Sequence, residues 1–315
     1  MNCKKALITG GAGFIGSHLA DSLTDAGCKV VILDNLTTGN LFNLRQIEEK
    51  ITFYEGDIRD PEILDKAAKD CDVIFHEAAV VSVPQTVQNP VGSAMVNDIG
   101  TLRVLEAARR NSVKRVVLAS SCAIYGDDPV LPKNENMEPK PMSPYAVQKL
   151  TGEFYARLYR NLYGLETVNL RYFNVYGPRQ DPSSPYSGVI SIFLTKAAAG
   201  QAPVIYGDGS QYRDFVFVQD VVRANLRAAV AERAVGKFFN VGTGGFIRIK
   251  DLWEMISGLA GVSAKPEYKP PRPGDIRESV ANIDRARSLL GFNPEYSFEK
   301  GLKITHDWYR KKQTY

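Results

Sequence analysis

The stretch that decides the fold runs from Lys4 to His18, KKALIT followed by GGAGFIGSH. Its first half is short, apolar and bounded by glycine, as a buried strand should be. Its second half opens the helical pattern FIGSHLADSLTDAG, which leads into a second apolar run, KVVILD, ending on Asp34. The glycines read two ways: Gly10, Gly13 and Gly16 fit GxxGxxG, while Gly11, Gly13 and Gly16 fit GxGxxG. A glycine pattern alone is a plain tight turn. Between a strand and a helix, with an acid closing the next strand, it is the arrangement that seats a pyrophosphate on a helix N-terminus and a ribose on a carboxylate. Asp34 would hydrogen-bond free ribose hydroxyls and repel a 2′-phosphate, so NAD is expected over NADP. Gly56-Asp57-Ile58 ends the following strand; Asp57 there suits an adenine contact or, equally, a turn.

Outward from this unit the same rhythm continues through ITFYEG, DVIFHEA, GTLRVLEAARR and VKRVVLAS. Strands alternating with helices imply βαβ units and a parallel sheet covered on both faces, a doubly wound Rossmann-type α/β fold. After about residue 175 the rhythm weakens, and prolines gather in GPRQDPSSP and KPEYKPPRPGD. FVFVQDVVRANLRAAV looks like a return to the first unit. The expected division is therefore discontinuous: residues 1–175 with about 214–245 as the cofactor domain, and 176–213 with 246–315 as a smaller α+β substrate domain.

At 315 residues the chain is long enough for such a large unit. No apolar run is long enough to span a bilayer, and MNCKKALITG lacks the apolar core of a secretory signal, which argues for the cytoplasm. Cys3, Cys28, Cys71 and Cys122 have no CxxC spacing and no clustered histidines, so they read as reduced apolar side chains, without a disulfide framework or metal. His18, His76 and His306 likewise lack partners at ligand spacing. A net charge of +4 with no basic run or exposed aromatic interleaving gives no ground for nucleic-acid binding.

Two further stretches carry chemistry. SSCAIYG, Ser120 to Gly126, ends an apolar strand with two hydroxyls and a thiol but no acid. SPYAVQKL places Tyr145 and Lys149 four residues apart behind a Ser-Pro helix start, on one helical face. A phenol near pKa 10 is a poor base at neutral pH; a nearby ammonium and a positive nicotinamide would favour the phenolate. Such pairs also occur on solvated helices, and the dinucleotide signature is what gives this one weight.

GGAGFIGSH, Asp34, Asp57-Ile58, HEAA, SSCAIYG, YAVQK and RYFNVYGPRQDP, in that order, resemble the extended short-chain dehydrogenase/reductase superfamily over nearly the whole chain. YRDFVFVQD and RPGDIRES are similar to those of nucleotide-diphosphate-sugar enzymes, and the ensemble is most similar to the UDP-glucose and UDP-N-acetylglucosamine 4-epimerase family. The resemblance implies a catalytic set of Ser121, Tyr145 and Lys149. It places Gly10, Gly13, Phe14, Ile15, Gly16, Asp34, Asn35, Asp57, Ile58, Ala78, Ala79, Asn97, Ser120 and Tyr172, with Tyr145 and Lys149, around NAD. Asn174, Val189, Tyr206, Arg213, Arg272, Asp275 and Ser279, with Ser121 and Tyr145, would meet the UDP-sugar. Tyr172 and its neighbour Phe173 are equally ordinary aromatic core at a strand end.

Where the superfamily's sugar dehydratases carry Asp-Glu and its decarboxylases a Glu, this chain has Cys122 and Ala123. Elimination needs a positioned acid and base that neither supplies, which leaves a keto sugar only hydride return. Ser279 stands where epimerases restricted to plain hexoses carry a Tyr; it either leaves room for a 2-acetamido group or fills a turn. Val81 stands where some hexose epimerases carry a Lys. Other nucleotide-sugar enzymes of the superfamily, such as a uronate 4-epimerase or a reductase, and a non-catalytic NAD-binding regulator remain alternatives. The helices GTLRVLEAARR and SPYAVQKLTGEFYARLYRNLYG are candidates for a homodimer contact, as in the family, or for covering the sheet.

Overall fold

The computed structural model describes residues 3–181, 188–271 and 277–312. Seven strands form the central sheet: β1 (Lys5–Thr9), β2 (Lys29–Asp34), β3 (Ile51–Glu55), β4 (Val73–His76), β5 (Arg115–Ser121), β6 (Glu166–Tyr172) and β7 (Lys237–Val241). Their order is β7-β6-β5-β4-β1-β2-β3, and every pairing is parallel. The order reverses direction beside β1, so the C-terminal ends of β1 and β4 flank the crevice where an open α/β sheet binds ligands.

Alternation along each strand builds two cores. Ala6, Ile8, Val30 and Ile32 face one side with Leu19 and Leu23 of α1 (Phe14–Asp25). Leu7, Val31 and Leu33 face the other, with Leu64 of α2 (Pro61–Ala68), Leu105 of α3 (Thr101–Arg110) and Ala156 of α4 (Pro144–Tyr163). A period of two side chains per strand leaves no polar face, and this is what a doubly covered parallel sheet requires. Ser143 starts α4 by accepting from the Ala146 amide at 3.2 Å, with Pro144 at the first helical position; Gly164 ends it in the left-handed region.

A third core joins Phe193, Ile205, Phe215, Phe217, Leu252, Trp253 and Leu302 beyond the C-terminal ends of the sheet. FVFVQDVVRANLRAAV divides between the two regions. Its helix α5 (Val218–Val230) lies beside α1 with Val221 and Ala224 in the first core, whereas Phe215–Phe217 pairs with the short strand Asn174–Tyr176 outside the central sheet. Tyr212–Arg213 pairs with Ile247–Arg248 and with Glu278–Ser279, bringing Arg213 opposite Ser279.

Candidate active site

The glycine turn is shaped for close approach. Gly10 has φ +70°, and a Cβ there would lie 2.7 Å from the Ala78 nitrogen. At Gly16 a Cβ would stand 2.3 Å from the Gly10 carbonyl, so helix and strand meet only because the side chain is absent. Gly13 caps α1 without a side-chain bond. The first amides of a helix have no intrahelical partner, and a dipole adds positive potential there; Phe14, Ile15 and Gly16 form that first turn. Asp34 closes β2 buried, accepting from the amides of Ala12 at 2.9 Å and Leu36 at 2.8 Å. Burial raises its pKa, and those two bonds oppose the rise. Two carboxylate oxygens offer about four acceptor sites, which leaves capacity for ribose hydroxyls. These residues fit a dinucleotide.

The neighbouring acid is more occupied. Asp57 accepts from Asn35 at 2.9 Å and twice from the Arg59 side chain at 2.8 Å, and the arginine holds its pKa down to about 2. It also takes the Arg59 amide, making the turn that its sequence context suggested. Ile58 is buried against Gly100. Asn97 sits in a π-helical stretch, Met95–Gly100, with its amide spent inside the protein: Val80 N donates to it at 2.8 Å, and it donates to Val80 O at 2.9 Å and Gln148 at 2.7 Å. It clamps the Val80 backbone, next to Ala78–Ala79, and is itself buried. Ser120 is likewise committed, donating to buried Glu153 at 2.6 Å.

The catalytic candidates converge at the end of β5. Ser121 accepts from the Ala123 amide at 3.2 Å and is hydrogen-bonded to the Tyr145 phenol. Lys149 donates to the Ala119 carbonyl at 2.8 Å, with Nζ 5.8 Å from the Tyr145 ring centre. Burial pushes Tyr145 up to about 12, against the Ser121 hydrogen bond, and pushes Lys149 down to about 8, against the pull of Glu77. Desolvation thus outweighs the Ser121 hydroxyl at the Tyr145 phenol in the protein alone.

Glu77 was not singled out by the sequence. It accepts from the Tyr172 hydroxyl at 2.8 Å, and burial raises it to about 7. Tyr172, opposite Ser121 in register, also engages Asn225 of α5; its phenol is therefore turned into the fold. Phe173 is buried beside Tyr125.

On the other side, Asn174 donates to the Asp214 carbonyl at 3.0 Å, and Arg213 donates to the carbonyls of Tyr212 and Arg277 at 2.9 and 3.0 Å. Ser279, buried, hydrogen-bonds the Cys122 thiol. Asp214 is the second residue the sequence reading passed over. Fully buried, it accepts from Thr243 N and Oγ1, Gly244 N and Ala281 N at 2.7–3.1 Å, which ties the Arg213 strand to two loops. Val189 begins the helix Val189–Ala198, and Tyr206 ends the strand Val204–Tyr206. Arg272 and Asp275 lie outside the described residues. Among the described residues no helix is long and apolar enough to cross a membrane, and no three His, Cys, Asp or Glu side chains gather as metal ligands.

A glycine-shaped cradle, an acid at the next strand's end and a Ser-Tyr-Lys group over the sheet define a dinucleotide-binding protein of Rossmann type. Residues 6–242 match the NAD dependent epimerase/dehydratase family. The UDP-glucose 4-epimerase of Mycolicibacterium smegmatis is 43% identical over 312 residues, 98% of this chain and 99% of that protein. The UDP-glucose 4-epimerase of Thermotoga maritima, solved with UDP-glucose, superposes with TM-score 0.94 at 40% identity, covering 98% of this chain and 99% of that one. A UDP-N-acetylglucosamine 4-epimerase from Methanobrevibacter ruminantium, in complex with UDP-N-acetylmuramic acid, gives TM-score 0.95 at 40% identity, covering 99% and 100%. The chain belongs to the NAD dependent epimerase/dehydratase family, and its cofactor is NAD.

Proposed function

We propose that the protein is a UDP-hexose 4-epimerase that keeps NAD bound through the cycle, interconverting UDP-glucose and UDP-galactose through a 4-keto sugar. The observation that carries this reading is the Ser121–Tyr145–Lys149 group at the end of β5 with a thiol and a methyl, Cys122 and Ala123, in place of acids beside it. Relatives and structural neighbours named as UDP-sugar 4-epimerases support it.

NAD, held by the Gly10–Gly16 turn and Asp34, supplies a reversible acceptor for the C4 hydride. Tyr145 takes the proton of the sugar 4-hydroxyl through its own phenolate, with Ser121 as the bridging hydroxyl. Reaching that phenolate from a pKa near 12 requires the Lys149 ammonium and a positive ring in place. With no acid at 122 or 123 to expel a neighbouring hydroxyl, the keto sugar can only be reduced again, on either face. Asn174, Val189, Tyr206, Arg213, Arg272 and Asp275 hold the nucleotide diphosphate; a guanidinium fork suits phosphate oxygens. Ser279, a small side chain beside Cys122, is the residue that would admit a 2-acetamido group, extending the range to the acetamido sugars. Asp34 selects NAD over NADP by charge.

The two functional regions divide as 1–175 with about 214–245 for NAD and 176–213 with 246–315 for the UDP-sugar. The working form is a cytoplasmic homodimer, for which the exposed Val147, Phe154, Leu158 and Leu162 on one face of α4 offer an apolar contact. Incubating purified protein with UDP-galactose and a coupled UDP-glucose assay tests the reading; net accumulation of reduced nicotinamide without epimer would replace it with a reductase.

A further inference from the structure

Three of the four cysteines lie away from the site, at the N-terminal edge of the sheet. Cys3 precedes β1 and Cys28 precedes β2. Their sulfurs are 2.9 Å apart in a thiol–thiol hydrogen bond. The flanking backbone is pinned on both sides: Lys29 N donates to Lys4 O at 2.9 Å, Cys28 N to Leu23 O at 3.0 Å, and Lys4 N and Lys5 N to the Asp72 carboxylate at 2.7 and 3.1 Å. Cys71 is turned elsewhere, its thiol directed at the Ala67 and Lys69 carbonyls at 3.4 and 3.8 Å. Cys122 sits at the opposite edge, beside Ser279.

We propose that Cys3 and Cys28 form a thiol-modification site, in which an organic disulfide such as oxidised glutathione converts the pair into a reversible intramolecular disulfide. The sulfurs need to close from 2.9 Å to the ~2.05 Å of a bond, about 0.9 Å, while their backbones stay hydrogen-bonded. Cys3 is half-buried and Cys28 almost fully so, which puts the first exchange on Cys3. The Cys3 thiolate, its proton released to solvent, displaces one glutathione as it joins the other. Cys28 then loses its proton, attacks the Cys3 sulfur and releases the second glutathione. Two cysteine thiols are oxidised and one glutathione disulfide is reduced to two thiols, so atoms and electrons balance.

The bond would close β1 and α1 into a loop that ends just before β2, restricting the unfolded chain. Because it lies at the N-terminal edge of the parallel strands, it leaves the Ser121–Tyr145 end untouched. This inference does not rest on the epimerase reading.

Folded full-length protein is incubated with oxidised glutathione, alkylated and analysed by intact mass and peptide mapping. The expected result is loss of two hydrogen masses and of two alkylatable thiols, with a single cross-linked peptide joining Cys3 to Cys28 that dithiothreitol reverses. Cys3→Ser and Cys28→Ser each abolish the cross-link, whereas Cys71→Ser keeps it, and the thermal midpoint rises by several degrees on oxidation of the wild type only. A persistent glutathione adduct without cross-link, a cross-link through Cys71, or no change in mass would each overturn the assignment.

Discussion

Tyr145 and Lys149 share a helical face, while Ser121 reaches the phenol from a strand 24 positions back in sequence. Replacing Tyr145 with Phe removes one hydroxyl and should lower epimerisation by ~10²–10⁴ with bound NAD retained, measured by coupled assay and by the nucleotide released on denaturation. Beneath the site Arg171 and Glu153 form a buried bidentate pair at 2.8 and 2.7 Å, shared with Ser120. Arg171→Met strands the Glu153 charge and should cost about 3–5 kcal/mol in urea unfolding. The arginine of RYFNVYG could not be read as buried from the sequence, since its partner lies 18 residues earlier on α4. Ser279→Tyr should abolish turnover of UDP-N-acetylglucosamine while sparing UDP-glucose, and equal loss of both would sink the specificity reading.

At the scale of elements, the turn into α1 depends on an absent side chain. Gly16→Ala sets a methyl 2.3 Å from the Gly10 carbonyl, so the helix must move back from the strand. A folded protein purified without NAD, by circular dichroism and released nucleotide, is the expected outcome. The substrate side depends instead on one carboxylate. Asp214 gathers four donors from two loops, and Asn in its place turns an NH₂ toward amides that need an acceptor. Asp214→Asn should weaken uridine diphosphate binding at least about tenfold, roughly 1.4 kcal/mol, while NAD stays bound, as calorimetry would show.

For the whole molecule, His18 joins α1 to the segment after the short strand Asn174–Tyr176. It donates from Nε2 to the Pro178 carbonyl at 2.9 Å and accepts at Nδ1 from Gln219 at 3.2 Å, so a second proton has no place. Burial lowers it from 6.5 to about 4. The unfolded chain therefore takes up a proton at His18 below about 6.5 that the folded chain refuses until about 4, and stability falls as pH drops through that window. The wild type should lose up to about 3 kcal/mol more than His18→Gln between pH 7 and pH 4. If the apolar face of α4 is the dimer contact, Phe154→Glu should convert a particle of twice 34.8 kDa to one chain in sedimentation.

The sequence by itself determined the features that depend on near neighbours. Strand periodicity, the glycine turn, the start of α4 at Ser143-Pro144 and the Tyr145–Lys149 spacing all follow from geometry within a few residues. It reached Ser121, and the absence of acids at 122 and 123, only through motifs in order. Tertiary structure alone decided that Asn97 and Ser120 are spent on internal bonds, that Glu77 and Asp214 lie at the site, and that Cys3 meets Cys28. The last pair, like Arg171 with Glu153, is brought together by strand order and by which face each side chain takes. A linear chain does not record proximity that crossovers create, so those contacts become legible only once the sheet is assembled.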